Sequence, residues 1–95
     1  MEYNRPEIHQ SICDRLNDTY RRKNSDYGNS FTKTREEYPE AIVIRLSDKL
    51  ERLKTLLKGE ERKVADESIV DTLVDLANYA LMELVEIEIE IEEEA

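Results

Sequence analysis

Residues 39–59 read PEAIVIRLSDKLERLKTLLKG, and the spacing within them decides the fold. Ile42, Val43, Leu46, Leu50, Leu53, Leu56 and Leu57 recur every three or four residues, which lays an apolar stripe along one face of a helix. Pro39 suits the opening of that helix, and Lys58 with Gly59 suits its end. A helix with one apolar face needs other helices to cover it.

Toward the N-terminus, Pro6 fits a first helical turn, and Ile8, Ile12, Leu16 and Tyr20 follow at i+4 spacing. His9 and Cys13 widen that stripe and are expected at its buried edge. The spacing predicts a helix to about Asn24, then a turn over Asp26-Tyr27-Gly28-Asn29-Ser30, whose residues tolerate left-handed and turn conformations. Phe31 to Tyr38 can form a short helix that stops before Pro39, because the residue before proline disfavours helical geometry. Toward the C-terminus a polar link, Glu60 to Ala65, leads to Asp66, a candidate cap for a third long helix. Val70, Leu73, Ala77, Ala80, Leu81 and Leu84 are its expected core stripe. Glu86 to Ile91 alternates Glu and Ile with the period of a strand, but no Gly or Pro separates it from the helix, so a helix that continues and frays is expected.

The expectation is an all-α fold: a small antiparallel bundle of three main helices, residues 1–85, with an acidic Glu/Ile extension at 86–95. Such a trio leaves apolar residues such as Val85, Ile89 and Ile91 uncovered, so a dimer or larger homo-oligomer is expected to complete the core. A chain of 95 residues is one domain with a thin core, and with no Trp and one Phe, aliphatic packing has to supply most of its stability.

A net charge of −9 argues against gripping the phosphate backbone of a nucleic acid. The acid is unevenly placed, however. Seven glutamates lie between Glu83 and Glu94, whereas Arg15 to Arg62 holds most of the Lys and Arg, so the middle of the chain is where a small anion would bind. The single cysteine, the lack of a charged-then-apolar leader over Met1 to Pro6, and the lack of a long apolar run predict a cytoplasmic protein with no membrane association.

Glu67, Asp71, Asp75 and Asn78 fall at i, i+4, i+8 and i+11, one longitudinal stripe of a helix. Acids on adjacent turns repel unless they are solvated or share a cation, and magnesium or manganese is the cation that oxygen ligands suit. The bland alternative is a solvated acidic face. On the preceding helix Arg45, Asp48, Lys49 and Arg52 share a side: an acid that could complete a metal cluster, among bases that could neutralise phosphate oxygens. The alternative there is a set of ordinary ion pairs. Lys23, Asn24, Asp26 and Tyr27 precede Gly28 in a turn that could cradle a base or a phosphate, or simply end a helix.

Taken together, the blocks KNSDYGNSF (23–31), RLSDKLERL (45–53) and DESIVDTLVDLANYA (66–80) resemble the nucleotide modification associated domain, type 1, over about Tyr20 to Val85. That family is common in phages and is similar to the MazG-like all-helical nucleoside triphosphate pyrophosphohydrolases. The resemblance implies an oligomeric helical domain in which magnesium, held by acids of two helices, orients a nucleoside triphosphate for hydrolysis to a monophosphate and pyrophosphate. By residue it implies Asp48, Glu67, Asp71 and Asp75 as metal ligands; Glu67, at the outer end of the stripe, is the carboxylate expected to orient or deprotonate the attacking water. Lys23, Asp26, Tyr27, Arg45, Lys49, Arg52, Asn78 and Tyr79 are the expected nucleotide-binding residues. The pyrophosphohydrolases pair a Glu-x-x-Glu helix with a Glu-x-x-Asp helix, whereas this chain offers Asp48-x-x-Glu51 and four-residue spacings. The rival expectation is a domain that binds a nucleotide without turnover, including a cyclic or modified signalling nucleotide, to counter a host defence.

Overall fold

The helix expected from residues 39–59 forms as Ala41–Leu57 and is the third of four. The computed structural model describes the backbone of residues 2–27, 29–59 and 62–95, and the side chains of 2–24, 29–59 and 67–95. In chain order the helices are α1 (Arg5–Tyr27), α2 (Ser30–Glu37), α3 (Ala41–Leu57) and α4 (Arg62–Glu94). Among the described residues there is no strand, and no helix is long and apolar enough to cross a membrane.

Local chemistry accounts for most of the helix ends. The Glu7 backbone N–H donates to Asn4 Oδ1 at 3.2 Å, so Asn4 caps α1, with Pro6 in the first turn where its missing N–H costs nothing. α1 extends past the expected Asn24 to Tyr27; Gly28, expected to make the turn, lies outside the described residues. α2 closes with the Tyr38 N–H donating to the Thr34 carbonyl at 2.7 Å, directly before Pro39. At the end of α3 the Lys58 and Gly59 N–H groups reach back three residues, to Thr55 and Leu56, tightening the last turn. A β-carbon at Gly59 would stand 3.3 Å from the Leu56 carbonyl oxygen. The cap expected at Asp66 is not where α4 begins: the helix starts at Arg62 and Asp66 stands inside it, its side chain outside the described residues. From there α4 runs unbroken through the Glu/Ile segment to Glu94.

α3 and α4 form the main packed pair, antiparallel, since Lys49 meets Asp75 and Arg45 meets Tyr79. α1 crosses α4, tied by Asn78 Nδ2 donating to the Leu16 carbonyl at 3.3 Å. α2 buries no residue, and polar clasps hold it to α4. Arg35 grips Glu83 with Nε and Nη2 at 3.0–3.1 Å and also pairs with Glu90, while Thr32 donates to Glu86.

The interior is thinner than the sequence suggests, and on α4 it is differently phased. Among the described residues only Leu16, Ala41 and Thr72 are buried, Thr72 returning its hydroxyl to the Ser68 carbonyl at 2.6 Å. The expected core residues Val70, Leu73, Leu81 and Leu84 are exposed, as are Ile8, Ile12, Val43, Leu50 and Leu57. The inward face of α4 is instead Ile69, Thr72, Asp75, Leu76, Tyr79, Glu83 and Glu86, mostly half-buried. Charges on other helices draw this more polar stripe inward: Lys23 and Lys49 onto Asp75, Arg35 onto Glu83. The aliphatic stripe therefore turns outward. His9 is exposed rather than at a buried edge, and Cys13 Sγ lies 3.7 Å from its Nδ1, as i+4 spacing allows.

Candidate functional site

The inward polar face of α4 forms one wall of a cleft of about 370 Å³ to which all four helices contribute, within the size range of small-molecule sites. Along α4 the wall carries Asp75, Asn78, Tyr79, Met82, Val85 and Glu86, mostly at helical spacings of three and four. α1 adds Tyr20, Lys23 and Asn24. α3 adds Arg45 and Lys49, and the start of α2 adds Phe31 and Thr32, next to Asn29 and Ser30.

Two features set its chemistry. The first is a cationic end. Asp75 Oδ2 accepts from Lys49 Nζ at 3.0 Å, and Asp75 Oδ1 meets Lys23 Nζ at 3.5 Å. Two lysines share this carboxylate and Arg45 lines the cleft beside them, so this end keeps a positive surplus inside an acidic chain. Lys23 is 61% exposed and its contact is long, so its ammonium is free to swing to an incoming anion. The second feature is a pair of rings: Phe31 and Tyr79 have centroids 6.4 Å apart at an angle of 35°, and the Arg45 guanidinium lies 5.6 Å from the Tyr79 ring. Cations thus stand next to aromatic faces.

Of the residues expected at the site, Lys23, Arg45, Lys49, Asp75, Asn78 and Tyr79 all line this cleft. Asp48 and Arg52 line a shallower neighbouring depression that shares Arg45, Lys49 and Tyr79 with it. Glu67 and Asp71 are exposed and line neither. Asp26 and Tyr27 have side chains outside the described residues.

Among the described residues no three His, Cys, Asp or Glu side chains come together as a metal group. Asp75, which would anchor such a group between α3 and α4, has an oxygen turned to each of two lysines. The residues present in one chain thus do not fit the magnesium cluster that the resemblance implies. The reason is placement: the i+4 ladder of acids climbs α4, but its N-terminal rungs, Glu67 and Asp71, stay in solvent.

Phe31, Thr32 and Glu86 are cleft residues that were not expected. Phe31 carried a signal, as the one phenylalanine, directly after a turn. So did Glu86, which continues the Asp75 stripe at i+11, through Tyr79 and Met82.

Fold and cleft define an all-helical domain whose helices converge on a small polar cleft with a cationic end and an aromatic waist. Residues 23–87 match the family model described as Nucleotide modification associated domain 1, and the chain belongs to that family, the one its three sequence blocks resemble. No curated protein and no solved structure matches the chain.

Proposed function

We propose that this protein binds a phosphorylated nucleotide in the four-helix cleft, in an assembly of more than one copy. The observation that carries the reading is the juxtaposition of the Phe31–Tyr79 ring pair with Lys23, Arg45 and Lys49. Aromatic faces beside ammonium and guanidinium groups suit a base joined to phosphates, and the family's association with nucleotide modification agrees with that class of ligand.

In this reading Lys23 and Lys49 exchange Asp75 for phosphate oxygens. Asp75 keeps the two ammonium groups at the cleft until phosphate oxygens displace it. Asn78 keeps α1 against α4 by its bond to Leu16, so that the Lys23 and Lys49 sides of the cleft stay in register. Arg45 bridges the two regions, its guanidinium over Tyr79 and beside the phosphates.

Hydrolysis to a monophosphate and pyrophosphate would require Asp48, Glu67, Asp71 and Asp75 to converge, and in one chain they stand apart, so the proposal stops at binding. The protein then acts by holding its nucleotide, whether an ordinary, cyclic or modified one. The outward aliphatic stripe of α4, with Val70 57% and Leu84 54% exposed, supports the assembly.

The test is calorimetric titration with each common nucleoside triphosphate, in chelator and in magnesium, with the recovered nucleotide resolved by chromatography. Binding that survives chelator with the nucleotide returned intact is expected. Pyrophosphate release in magnesium would overturn the binding-only reading, and the absence of heat with every nucleotide would overturn the site.

A further inference from the structure

Three glutamates on the α4 face toward α2, Glu83, Glu86 and Glu90, do not share the same fate. Arg35 takes Glu83 and Glu90. Glu86 is left in the wall of the cleft, half-buried, with Oε1 accepting the Thr32 hydroxyl at 2.5 Å. Among the described residues no cation pairs with it and nothing donates to Oε2. A half-buried carboxylate held by one neutral hydroxyl has acceptor capacity to spare, and an ionised carboxylate only accepts.

Its position matters as much as its chemistry. Eleven residues separate Asp75 from Glu86 on one helix, about 16 Å at 1.5 Å per residue, with Tyr79 and Met82 between them on the same face. The wall thus runs from cations, through a ring and apolar side chains, to a lone carboxylate. A nucleotide with its phosphates at Lys23 and Lys49 and its base on the rings would extend along this wall toward Glu86.

We propose that Glu86 is the specificity-determining residue of the cleft and selects guanine nucleotides. Of the common bases only guanine presents two adjacent N–H donors, N1–H and the N2 amino group, on its pairing edge, which matches the two oxygens of one carboxylate. Adenine and cytosine place a ring-nitrogen acceptor beside their amino group, and uracil and thymine flank their single N–H with carbonyls. Each of these sets a lone pair against the carboxylate. Thr32 fixes the carboxylate's orientation and is a positioning residue. This inference rests on the nucleotide-binding reading above.

The experiment measures dissociation constants of the unaltered protein for the triphosphates of guanosine, adenosine, cytidine, uridine and inosine, the last being guanosine without its N2 amino group. The same set is then run on Glu86→Gln and Thr32→Val. The guanine nucleotide should bind at least about tenfold more tightly than the other common ones, with inosine in between. Glu86→Gln, whose amide offers one donor and one acceptor and so suits the pairing edge of any of the bases, should lose that preference. Thr32→Val should narrow the guanine preference. Equal binding of all five by the unaltered protein overturns the role of Glu86 and leaves the nucleotide site standing. So does a folded Glu86→Gln that still prefers guanine. If no triphosphate binds, the nucleotide site itself falls and this inference with it. The inosine comparison needs no variant and tests the two-donor match even if Glu86→Gln does not fold.

Discussion

Asp75 lies between two ammonium groups, and that position makes it the most informative residue to change. In the binding reading its carboxylate competes with the ligand's phosphates for Lys23 and Lys49. Asp75→Asn removes the competing charge, so affinity for a triphosphate should rise several-fold by calorimetry, provided the melting temperature shows the variant folded. A catalytic metal ligand would behave oppositely, losing function on the same change. Lys49→Ala should weaken binding by about tenfold, the worth of a hydrogen bond to a charged group at its lower end. Tyr79→Ala should cost about 1–3 kcal/mol of affinity by loss of stacking, and because every base has a ring face the loss should be similar for all four bases.

Among the helices, α2 is the one whose attachment differs in kind. It brings Phe31 to the cleft yet buries nothing, and Arg35 and Thr32 hold it to α4 through carboxylates. Arg35→Ala should lower the melting temperature by roughly 4–8 °C per kcal/mol lost in a domain of this size, and should speed amide exchange in 30–37 before the rest of the chain. The hydrogen bond from Arg35 holds the Glu90 carboxyl below the ordinary glutamate value, while Arg35 itself is raised further above its already high one. Since Glu90 is lowered on folding, its contribution is present above the unfolded-state value and fades as pH falls through the lowered one. The difference in melting temperature between the parent and Arg35→Ala should therefore shrink on acidification below the glutamate range and stay flat around neutrality.

The same helices show what could be read from residues alone. α3 was legible because its leucines have one face and a proline and a glycine mark its ends. The inward face of α4 was not, because Val70, Leu73, Val74, Leu76, Ala77, Leu81 and Leu84 spread apolar side chains around much of its circumference. Which side turns in then depends on Lys23, Lys49 and Arg35, which lie far away along the chain. For that reason spacing and turn position mark Lys23, Arg45, Lys49, Asp75 and Asn78 of the cleft, whereas the acid ladder also runs to Glu67 and Asp71, away from it.

The whole molecule measures 47 × 31 × 23 Å and buries little of its aliphatic content, with Val43 62% and Leu57 67% exposed. An isolated chain in that state is at odds with how soluble monomers are built. Sedimentation should give a mass that is a multiple of 11.2 kDa. Leu73→Glu, which alters a side chain already 47% exposed in one chain, should cost an isolated monomer little but dissociate an assembly built on that stripe.

The last turns of α4 carry a hazard of their own. Glu86, Glu88, Glu90, Glu92 and Glu94 place like charges at i+4 and put acid at a helix C-terminus, where the dipole disfavours it. Ile87, Ile89 and Ile91, scattered around the helix, would fall on a single face of an extended chain. Once acid discharges the glutamates, the segment becomes a short, neutral, alternating strand without proline, the composition from which amyloid steric zippers assemble. The charges that strain this helix are therefore also its gatekeepers against fibrils.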